Sequence, residues 1–349
     1  MAEEGLVLNE TPNGKKQAGR SGCRKGCLFL FLAGVGALAL LGIVGMGILS
    51  FVLGSDWNLR ARSYPEDERP RLRERWSYGS GTTKAVRIPL EGLIIRERKS
   101  GLLVPQFDRV DAVLRQVRAA AADMAVRGIL LEVESPGGSV SACDEIREEI
   151  HRFREDGRRK VVVWVRGLAA SGAYYISTEA DWIVAQPASL VGSIGVLLSA
   201  LNWRELSAKI GVTDVTVKSS RYKDLLNPFR EVRPEELQML QAVVDSAHEM
   251  FVRRVAEGRK LELAEVAQIA DGRIVTARSA QELGLVDEVG YWSLAVKRLK
   301  DLLGIERLKV IRYEGSSGLL QLLAAAAGHF PFSAAGITRE PRLLFLWRP

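Results

Sequence analysis

The feature that most constrains how this chain can fold is an uncharged run of 30 residues between Lys25 and Asp56. About 20 apolar residues span the hydrocarbon core of a bilayer, whereas the apolar part of a cleavable signal peptide has only about 7 to 15. The run exceeds both lengths. We therefore expect a retained signal anchor, one transmembrane helix over residues 27–54, which argues against a wholly soluble protein.

The charges on either side of this run predict its orientation. Residues 15–25 carry five Lys or Arg and no acid, whereas residues 56–69 mix bases with acids. Lys and Arg are enriched on the cytoplasmic side of membrane spans. We expect residues 1–26 to form a cytoplasmic tail and the chain after the anchor to lie on the outer face of the cytoplasmic membrane.

The rest of the chain divides by composition into a stalk, a domain and a tail. Residues 55–81 are rich in charge and are expected to form a polar stalk before one domain over residues 82–313. The sequence reveals no role for the apolar tail, residues 314–349. With 47 % hydrophobic and 26 % charged residues, the chain is not disordered, and its three cysteines are too few for a disulfide framework. The net charge of +7 comes from bases scattered among acids, so no nucleic-acid partner is expected.

Short β-branched or apolar segments alternate with helical patterns along the domain. The predicted strands are Ala85–Leu90, Gly128–Val133, Lys160–Val165, Asp181–Ala185, Ile194–Leu198 and Val212–Val217. The predicted helices are Ser141–Phe153, a short one from Gly172, and a long one from Pro234 to about Gly258. Apolar strands that alternate with helices predict an α/β fold with a mostly parallel sheet covered on both faces.

Several common motifs are absent from the sequence: the phosphate-binding loop G-x-x-x-x-G-K-[ST], the metal motif H-E-x-x-H and the nucleophile elbow G-x-S-x-G. We therefore expect no cofactor and no metal. His151 and His248 fall in predicted amphipathic helices and His329 in the tail. A histidine-based catalytic triad has little support.

Two segments at predicted strand-to-helix transitions have the composition of catalytic turns. Ser135-Pro136-Gly137-Gly138 follows a buried strand, and its glycines let backbone amides approach a developing oxyanion. Ser171, within Ala169-Ala170-Ser171-Gly172-Ala173-Tyr174-Tyr175, is placed to present a nucleophilic hydroxyl at the start of a helix. Each segment also has an ordinary interpretation, as a strand-to-helix turn or as a capping serine.

A third segment, Arg221-Tyr222-Lys223-Asp224, precedes Asn227-Pro228. A lysine acts as a general base only where burial or nearby positive charge favours its neutral amine. The ordinary interpretation of Lys223 is a solvated surface side chain, and the residues alone do not select it.

Together with Gly192-Ser193-Ile194-Gly195-Val196, these three segments resemble the bacterial signal peptide peptidase A family of membrane-anchored serine proteases. The resemblance runs from about Ala85 to Leu303 and includes Ala270-Asp271-Gly272-Arg273 and Ala280 to Gly290. Several motifs in the same order are more specific than any one of them. The resemblance implies a crotonase-like and Clp-like α/β fold, with a mostly parallel sheet and flanking helices after one N-terminal transmembrane helix.

Carried over residue by residue, the resemblance implies a Ser-Lys dyad with Ser171 as the nucleophile and Lys223 as the general base. Ser193 falls where the family has a serine that hydrogen-bonds the lysine. Gly138 falls where the family has an oxyanion-hole amide, and the amide of Gly172 is a candidate for the second donor.

The function that the resemblance implies is a serine endopeptidase that cleaves remnant signal peptides and other membrane-proximal polypeptides. Single-domain members of the family form homo-oligomeric rings that complete the dyad between neighbouring subunits. The expected partners are therefore peptide substrates, the membrane and further copies of the chain. Two features depart from the family: Ala173 stands where it often has a glycine, and the tail after about Glu314 has no counterpart.

Three alternatives stay open on the sequence. A Clp-type protease uses Ser, His and Asp, but no histidine lies between Ser171 and Lys223. A crotonase-type acyl-CoA enzyme would hold a thioester oxyanion at the glycine turn, yet it explains Ser171 and the export of the domain poorly. A catalytically silent membrane scaffold has no need to keep the serines and the lysine together.

Overall fold

The computed structural model describes residues 67–96, 108–314 and 342–346, together with Gly36, Leu38 and residues 40–45. The chain divides into two compact units, Met1–Ser63 and Tyr64–Pro349.

In the first unit the described residues are helical, and their apolar side chains are exposed. No helix within the described ranges is long and apolar enough to cross a bilayer. Most of the predicted anchor, residues 27–54, lies outside those ranges, as do all of residues 1–26.

The second unit alternates strands and helices along the chain, which confirms the predicted α/β class. Its strands are β1 Arg73–Gly79, β2 Lys84–Glu91, β3 Val126–Ser135, β4 Gly137–Ser139, β5 Lys160–Ala170, β6 Trp182–Ala185, β7 Leu190–Gly192, β8 Leu197–Ser199, β9 Ile274–Thr276, β10 Glu288–Val289, β11 Lys309–Glu314 and β12 Arg342–Leu346. Its helices are α1 Arg109–Ala122, α2 Val140–Arg154, α3 Gly172–Ser177, α4 Arg204–Lys209, α5 Pro234–Arg259, α6 Leu263–Ile269, α7 Ala277–Glu282 and α8 Trp292–Leu303.

The larger sheet is mostly parallel, as the alternation predicts. Its strands run in the order β1-β11-β2-β3-β5-β6-β10, and β7 pairs with both β5 and β9. Only the pairs β1–β11 and β7–β9 are antiparallel among the described strands of this sheet. A smaller sheet has the order β4-β12-β8, and both of its pairs are antiparallel.

The core lies on both faces of the larger sheet, because successive strand residues point to opposite sides. In β3, Ile129 and Leu131 belong to the apolar cluster that includes residues of α1, α2 and α3. Leu130, between them, packs with Ala295 and Leu299 of α8 on the other side. Burial on both faces explains why the parallel strands appear in the sequence as continuous apolar runs.

Several local expectations differ from the structure. The strand predicted at Ile194–Leu198 forms only in part, since residues 193–196 have no regular structure and β8 begins at Leu197. Strand β1 lies within the predicted stalk, where its charged residues are tolerated because it is a mostly exposed edge strand. The strand predicted at Val212–Val217 does not form; these residues have no regular structure, and Val217 is 96 % exposed. Helix α2 begins at Val140, one residue before the predicted start at Ser141, and it is capped by Ser139, whose hydroxyl accepts a hydrogen bond from the Ala142 amide.

Candidate active site

Three neighbouring parallel strands end side by side at one edge of the larger sheet. Ser135 in β3 lies opposite Ala169 in β5, and Ala170 lies opposite Gly192 in β7. Open α/β sheets bind ligands outside the carboxyl ends of their strands. The structure therefore brings the glycine-rich turn, the candidate nucleophile and the candidate lysine-orienting serine together at the edge where a site is expected.

The backbone of Ser171 has an unusual and constrained conformation. Its φ of 54° and ψ of −117° lie in a region that residues other than glycine rarely adopt. Its amide donates to the Gly192 carbonyl at 2.8 Å, and its carbonyl accepts from the Tyr175 amide at 2.8 Å. Its hydroxyl makes no capping hydrogen bond to α3, so the capping interpretation fails. The buried Oγ instead lies 3.4 Å from the carbonyl oxygen of Gly195.

Ser193 is the next position after the last paired residue of β7, as Ser171 is in β5. It also has a left-handed φ, of 52°, and its amide donates to the carbonyl of Arg273 at 2.7 Å. Gly192 before it has a φ of 116°, and a Cβ there would lie 2.9 Å from the same carbonyl oxygen. The Arg273 carbonyl thus fixes the backbone that presents Ser193 beside Ser171.

Helix α3 is anchored at both of its tyrosines. The Tyr174 hydroxyl donates to the Leu285 carbonyl at 2.8 Å, and the Tyr175 hydroxyl donates to Asp144 at 2.6 Å. Burial raises the pKa of both phenols, so they stay neutral donors. Gly172 is the first residue of this helix, and first-turn amides have no acceptor within their own helix. This position is compatible with the oxyanion role that the resemblance implies.

The glycine-rich turn is packed tightly against residues 92–94. The Ser135 hydroxyl donates to the Gly92 carbonyl at 2.6 Å and accepts from the Gly137 amide at 3.1 Å. A Cβ on Gly138 would lie only 1.8 Å from the carbonyl oxygen of Ile94. The close approach of the Ile94 backbone therefore explains why this position is a glycine.

Replacing Gly138 by Ala is expected to destabilise the domain by about 3 kcal/mol, because the added methyl displaces the backbone at Ile94. The measurement is urea unfolding of the full chain. The matched control is Gly157→Ala, whose φ is 67° with no atom within 4 Å of the new Cβ. That variant should lose only about 1 kcal/mol of stability, because alanine is less stable than glycine in this backbone conformation. Equal losses in the two variants would contradict the proposed clash.

Lys223 does not join the other site residues within one chain. It lies in a run of turns between β8 and α5, its side chain is exposed, and its amide donates to the Ser220 carbonyl at 3.3 Å. Within the described part of the chain, its ammonium forms no hydrogen bond or ion pair with Ser171 or with any other side chain.

The residues around Lys223 are held by a network of ion pairs. Asp224 contacts Lys218 at 2.7 Å and Arg230 at 2.9 Å, and Arg230 also binds Glu236 at 2.7 Å. Hydrogen bonds from Arg230 and Lys218 lower the pKa of Asp224 to about 2. The network fixes the turn that presents Lys223 at the surface.

The described histidines already have other partners. His151 Nδ1 lies 2.8 Å from a Glu179 carboxylate oxygen, and His248 Nε2 lies 3.0 Å from the Ala270 carbonyl oxygen. His329 lies outside the described residues. Cys143 is fully buried as a small apolar residue, and burial raises the pKa of its thiol. No group of His, Cys, Asp and Glu in the described ranges is arranged to hold a metal ion.

Three strands at this site, β4, β7 and β12, were not predicted from the sequence, and β12 lies farthest from the others along the chain. The apolar run Leu343-Leu344-Phe345-Leu346 follows Pro341 within the predicted tail. Its pairing with β4 and β8 joins residues about 150 to 200 positions apart, so no local pattern indicates it. The run of apolar residues was the only feature of the sequence that distinguished this segment.

The sequence is similar to those of known peptidases. The model of peptidase family S49 matches residues 153–306, which contain Ser171, Ser193 and Lys223. A Methanocaldococcus jannaschii protein named as a protease is 40 % identical over 202 residues, which are 57 % of this chain and 64 % of that protein.

Two bacterial relatives are named more specifically. An Enterococcus faecium protein named as signal peptide peptidase SppA is 36 % identical over 68 % of this chain and 69 % of its own length. Protease 4 of Salmonella typhi is 36 % identical over 61 % of this chain, but the match spans only 34 % of that longer protein.

Proposed function

Because this chain belongs to the signal peptide peptidase A family, peptidase family S49, we propose that it is a membrane-anchored endopeptidase that uses a Ser-Lys dyad. The family match and the relatives named as proteases support the assignment of the chain as a serine-type peptidase. Its proposed substrates are remnant signal peptides and other membrane-proximal polypeptides. The observation that carries the proposal is the conformation of Ser171. This serine is buried, has a positive φ, makes no capping hydrogen bond to α3 and lies beside the glycine-rich turn.

The proposed chemistry needs no histidine and no cofactor. A neutral Lys223 amine accepts the proton of Ser171, and Oγ attacks the carbonyl carbon of the peptide bond. The amides of Gly138 and Gly172 donate hydrogen bonds to the oxyanion that forms. The protonated lysine then gives its proton to the departing amine, and water hydrolyses the resulting ester to release the new carboxylate.

The position of Lys223 supports a dyad that is shared between subunits. The surrounding residues 201–243 expose many large apolar side chains, among them Leu201, Ile210, Val215, Val217, Leu237 and Val243. Clustered exposed apolar surface marks interaction sites. We infer a homo-oligomeric ring in which this surface packs against a neighbouring subunit and brings Lys223 to that subunit's Ser171.

Membrane attachment rests on the uncharged residues between Lys25 and Asp56. In this proposal, residues 27–54 cross the cytoplasmic membrane once, and the catalytic domain lies on its outer face. The parallel sheet with catalytic turns at the carboxyl ends of its strands supports the crotonase-like and Clp-like assignment. An enzyme held at the membrane meets the apolar remnants of signal peptides where they remain after export.

The substrate proposal predicts that the full chain in detergent cleaves a synthetic signal peptide. A peptide of equal length with its apolar residues replaced by Ser should be cleaved with a kcat/KM at least about tenfold lower. The measurement is mass spectrometry of the products over time. Failure of folded, assembled protein to cleave either peptide, or equal cleavage of both, would contradict the proposed substrate class.

A further inference from the structure

The turn Asp271-Gly272-Arg273, called here the 271–273 turn, holds the chain on both sides of the Ser193 side chain. The Ser193 amide donates to the Arg273 carbonyl at 2.7 Å. Directly after Ser193, the Ile194 carbonyl accepts from the Gly272 amide at 3.1 Å. Within the described ranges the Ser193 hydroxyl has no hydrogen-bond partner of its own, so the backbone decides where it lies. The turn that fixes this backbone therefore also places the hydroxyl.

The segment of Ser193 lies between the nucleophile and this turn. On one side β7 pairs with β5, and the Ser171 amide donates to the Gly192 carbonyl at 2.8 Å. On the other side β7 pairs with β9, which begins directly after Arg273. The pairing with β5 does not involve the turn. A change in the turn should therefore displace Ser193 while Ser171 keeps its place.

The carboxylate of Asp271 closes the 271–273 turn. Its Oδ1 accepts from the Arg273 amide at 3.0 Å and from Arg273 Nε at 2.8 Å. An Asp side chain that accepts from the amide two residues later replaces a backbone hydrogen bond of a turn. Both side chains are about half exposed, so their ion pair alone adds little stability. The bond to the backbone amide is therefore the contribution of Asp271 that shapes the turn.

We propose that Asp271 is a positioning residue for the Ser-Lys dyad, because the turn that it closes places the Ser193 hydroxyl where it meets the amine of Lys223. The inference rests on the proposed function, in which Ser193 hydrogen-bonds the lysine of a neighbouring subunit. Within the described residues, the Asp271 carboxylate bonds only to Arg273. Its effect on catalysis must therefore pass through the backbone bonds of the turn.

A second Asp-Gly-Arg turn in the same chain provides a matched control. In Asp156-Gly157-Arg158, Asp156 Oδ1 likewise accepts from the Arg158 amide at 3.0 Å, and Gly157 also has a positive φ, of 67°. This turn comes before β5, whereas Ser171 follows it, so the two lie at opposite ends of that strand. The two turns share their sequence and their closing bond, but only the 271–273 turn is bonded to the segment of Ser193.

Asp271→Ala is expected to lower kcat for peptide cleavage by about tenfold and to change KM by less than about twofold. A small displacement of a catalytic group slows the chemical step more than it weakens binding of the peptide. Asp271→Asn keeps a side-chain oxygen that accepts from the Arg273 amide, so it should retain at least about half of the parent kcat. Asp156→Ala should keep kcat within about twofold. Equal losses in Asp271→Ala and in either of the other two variants would overturn the proposal.

Combination with Ser193→Ala tests whether Asp271 acts through Ser193. Two changes that remove the same contact are not additive, whereas the effects of changes at independent places add in free energy. Asp271→Ala should therefore lower kcat by less than about twofold in a chain that already carries Ser193→Ala. A full tenfold further loss would mean that Asp271 supports the fold by another route, and it would overturn the proposal.

Amide hydrogen exchange separates this proposal from the proposed function. The Ser193 amide of the full chain in detergent is followed by mass spectrometry. It should exchange at least about tenfold faster in Asp271→Ala than in the parent protein, and at the parent rate in Asp156→Ala, because only the first variant loosens its bond to the Arg273 carbonyl. Unchanged exchange would overturn the proposal and leave the peptidase proposal standing. If folded parent protein cleaves no peptide, the proposed function fails, and the exchange rates alone decide whether Asp271 holds Ser193.

Discussion

Replacing Ser171 by Ala is expected to lower kcat/KM for peptide cleavage at least about 10³-fold, because no other group can form the acyl-enzyme ester. Removal of the Ser171 hydroxyl should disturb few other interactions in the structure. The hydroxyl makes no helix cap and lies 3.4 Å from the Gly195 carbonyl oxygen, which is long for a hydrogen bond. Stability measured by urea unfolding should therefore change by less than about 1 kcal/mol.

The matched control for this prediction is Ser189→Ala. Ser189 is also buried, and its hydroxyl donates to the Gln186 carbonyl at 2.7 Å before the start of β7. Its loss should cost about 1 kcal/mol of stability and leave kcat/KM within about twofold of the parent protein. Comparable activity losses in the two variants would mean that Ser171 has only a structural role.

Replacing Lys223 by Ala is expected to lower kcat by about 10²- to 10⁴-fold, the range that a general base contributes. Because only a neutral amine accepts a proton, the parent activity should rise toward alkaline pH, and this rise should disappear in the variant. Lys209→Ala in α4 is the control, since it removes another exposed lysine of the same surface without touching the dyad. A flat or acid-favoured profile in the parent protein would contradict the role of Lys223 as base.

The same two variants test whether the Ser171 and Lys223 of one active site come from neighbouring subunits. If the dyad is shared between neighbours, equal coexpression of Ser171→Ala and Lys223→Ala chains gives rings with about one intact site in four. About a quarter of the parent activity should then return. If each chain supplied both groups to its own site, no site would be intact and no activity would return, which would contradict the shared dyad.

Much of the fold could be predicted because its signals are local. The buried runs of β3 and β5 and the helical spacing of α5 are fixed by which side chains face the core within one element. The turns proposed to be catalytic could be located for the same reason, since each follows directly after such a strand. The capping interpretation of Ser171, in contrast, could be removed only by its backbone dihedral angles and hydrogen bonds.

The features that the sequence could not predict depend on distant partners. Val212–Val217 has the β-branched composition of a strand, yet it finds no neighbouring strand and stays exposed. Strand β1 is highly charged, yet it forms because it pairs with β11, which lies more than 200 residues later in the chain. Strand β12 likewise owes its structure to β4 and β8. Pairing at such separations leaves no periodic pattern in either segment.

A fluorophosphonate reacts covalently with activated serines, and the site at which it attaches to the full-length protein identifies the nucleophile most directly. We expect one adduct, on Ser171, found by peptide mass spectrometry after digestion. The adduct should be lost in Ser171→Ala and strongly reduced in Lys223→Ala, because the lysine activates the hydroxyl. An adduct on a different serine, or none on protein that cleaves peptides, would contradict Ser171 as the nucleophile.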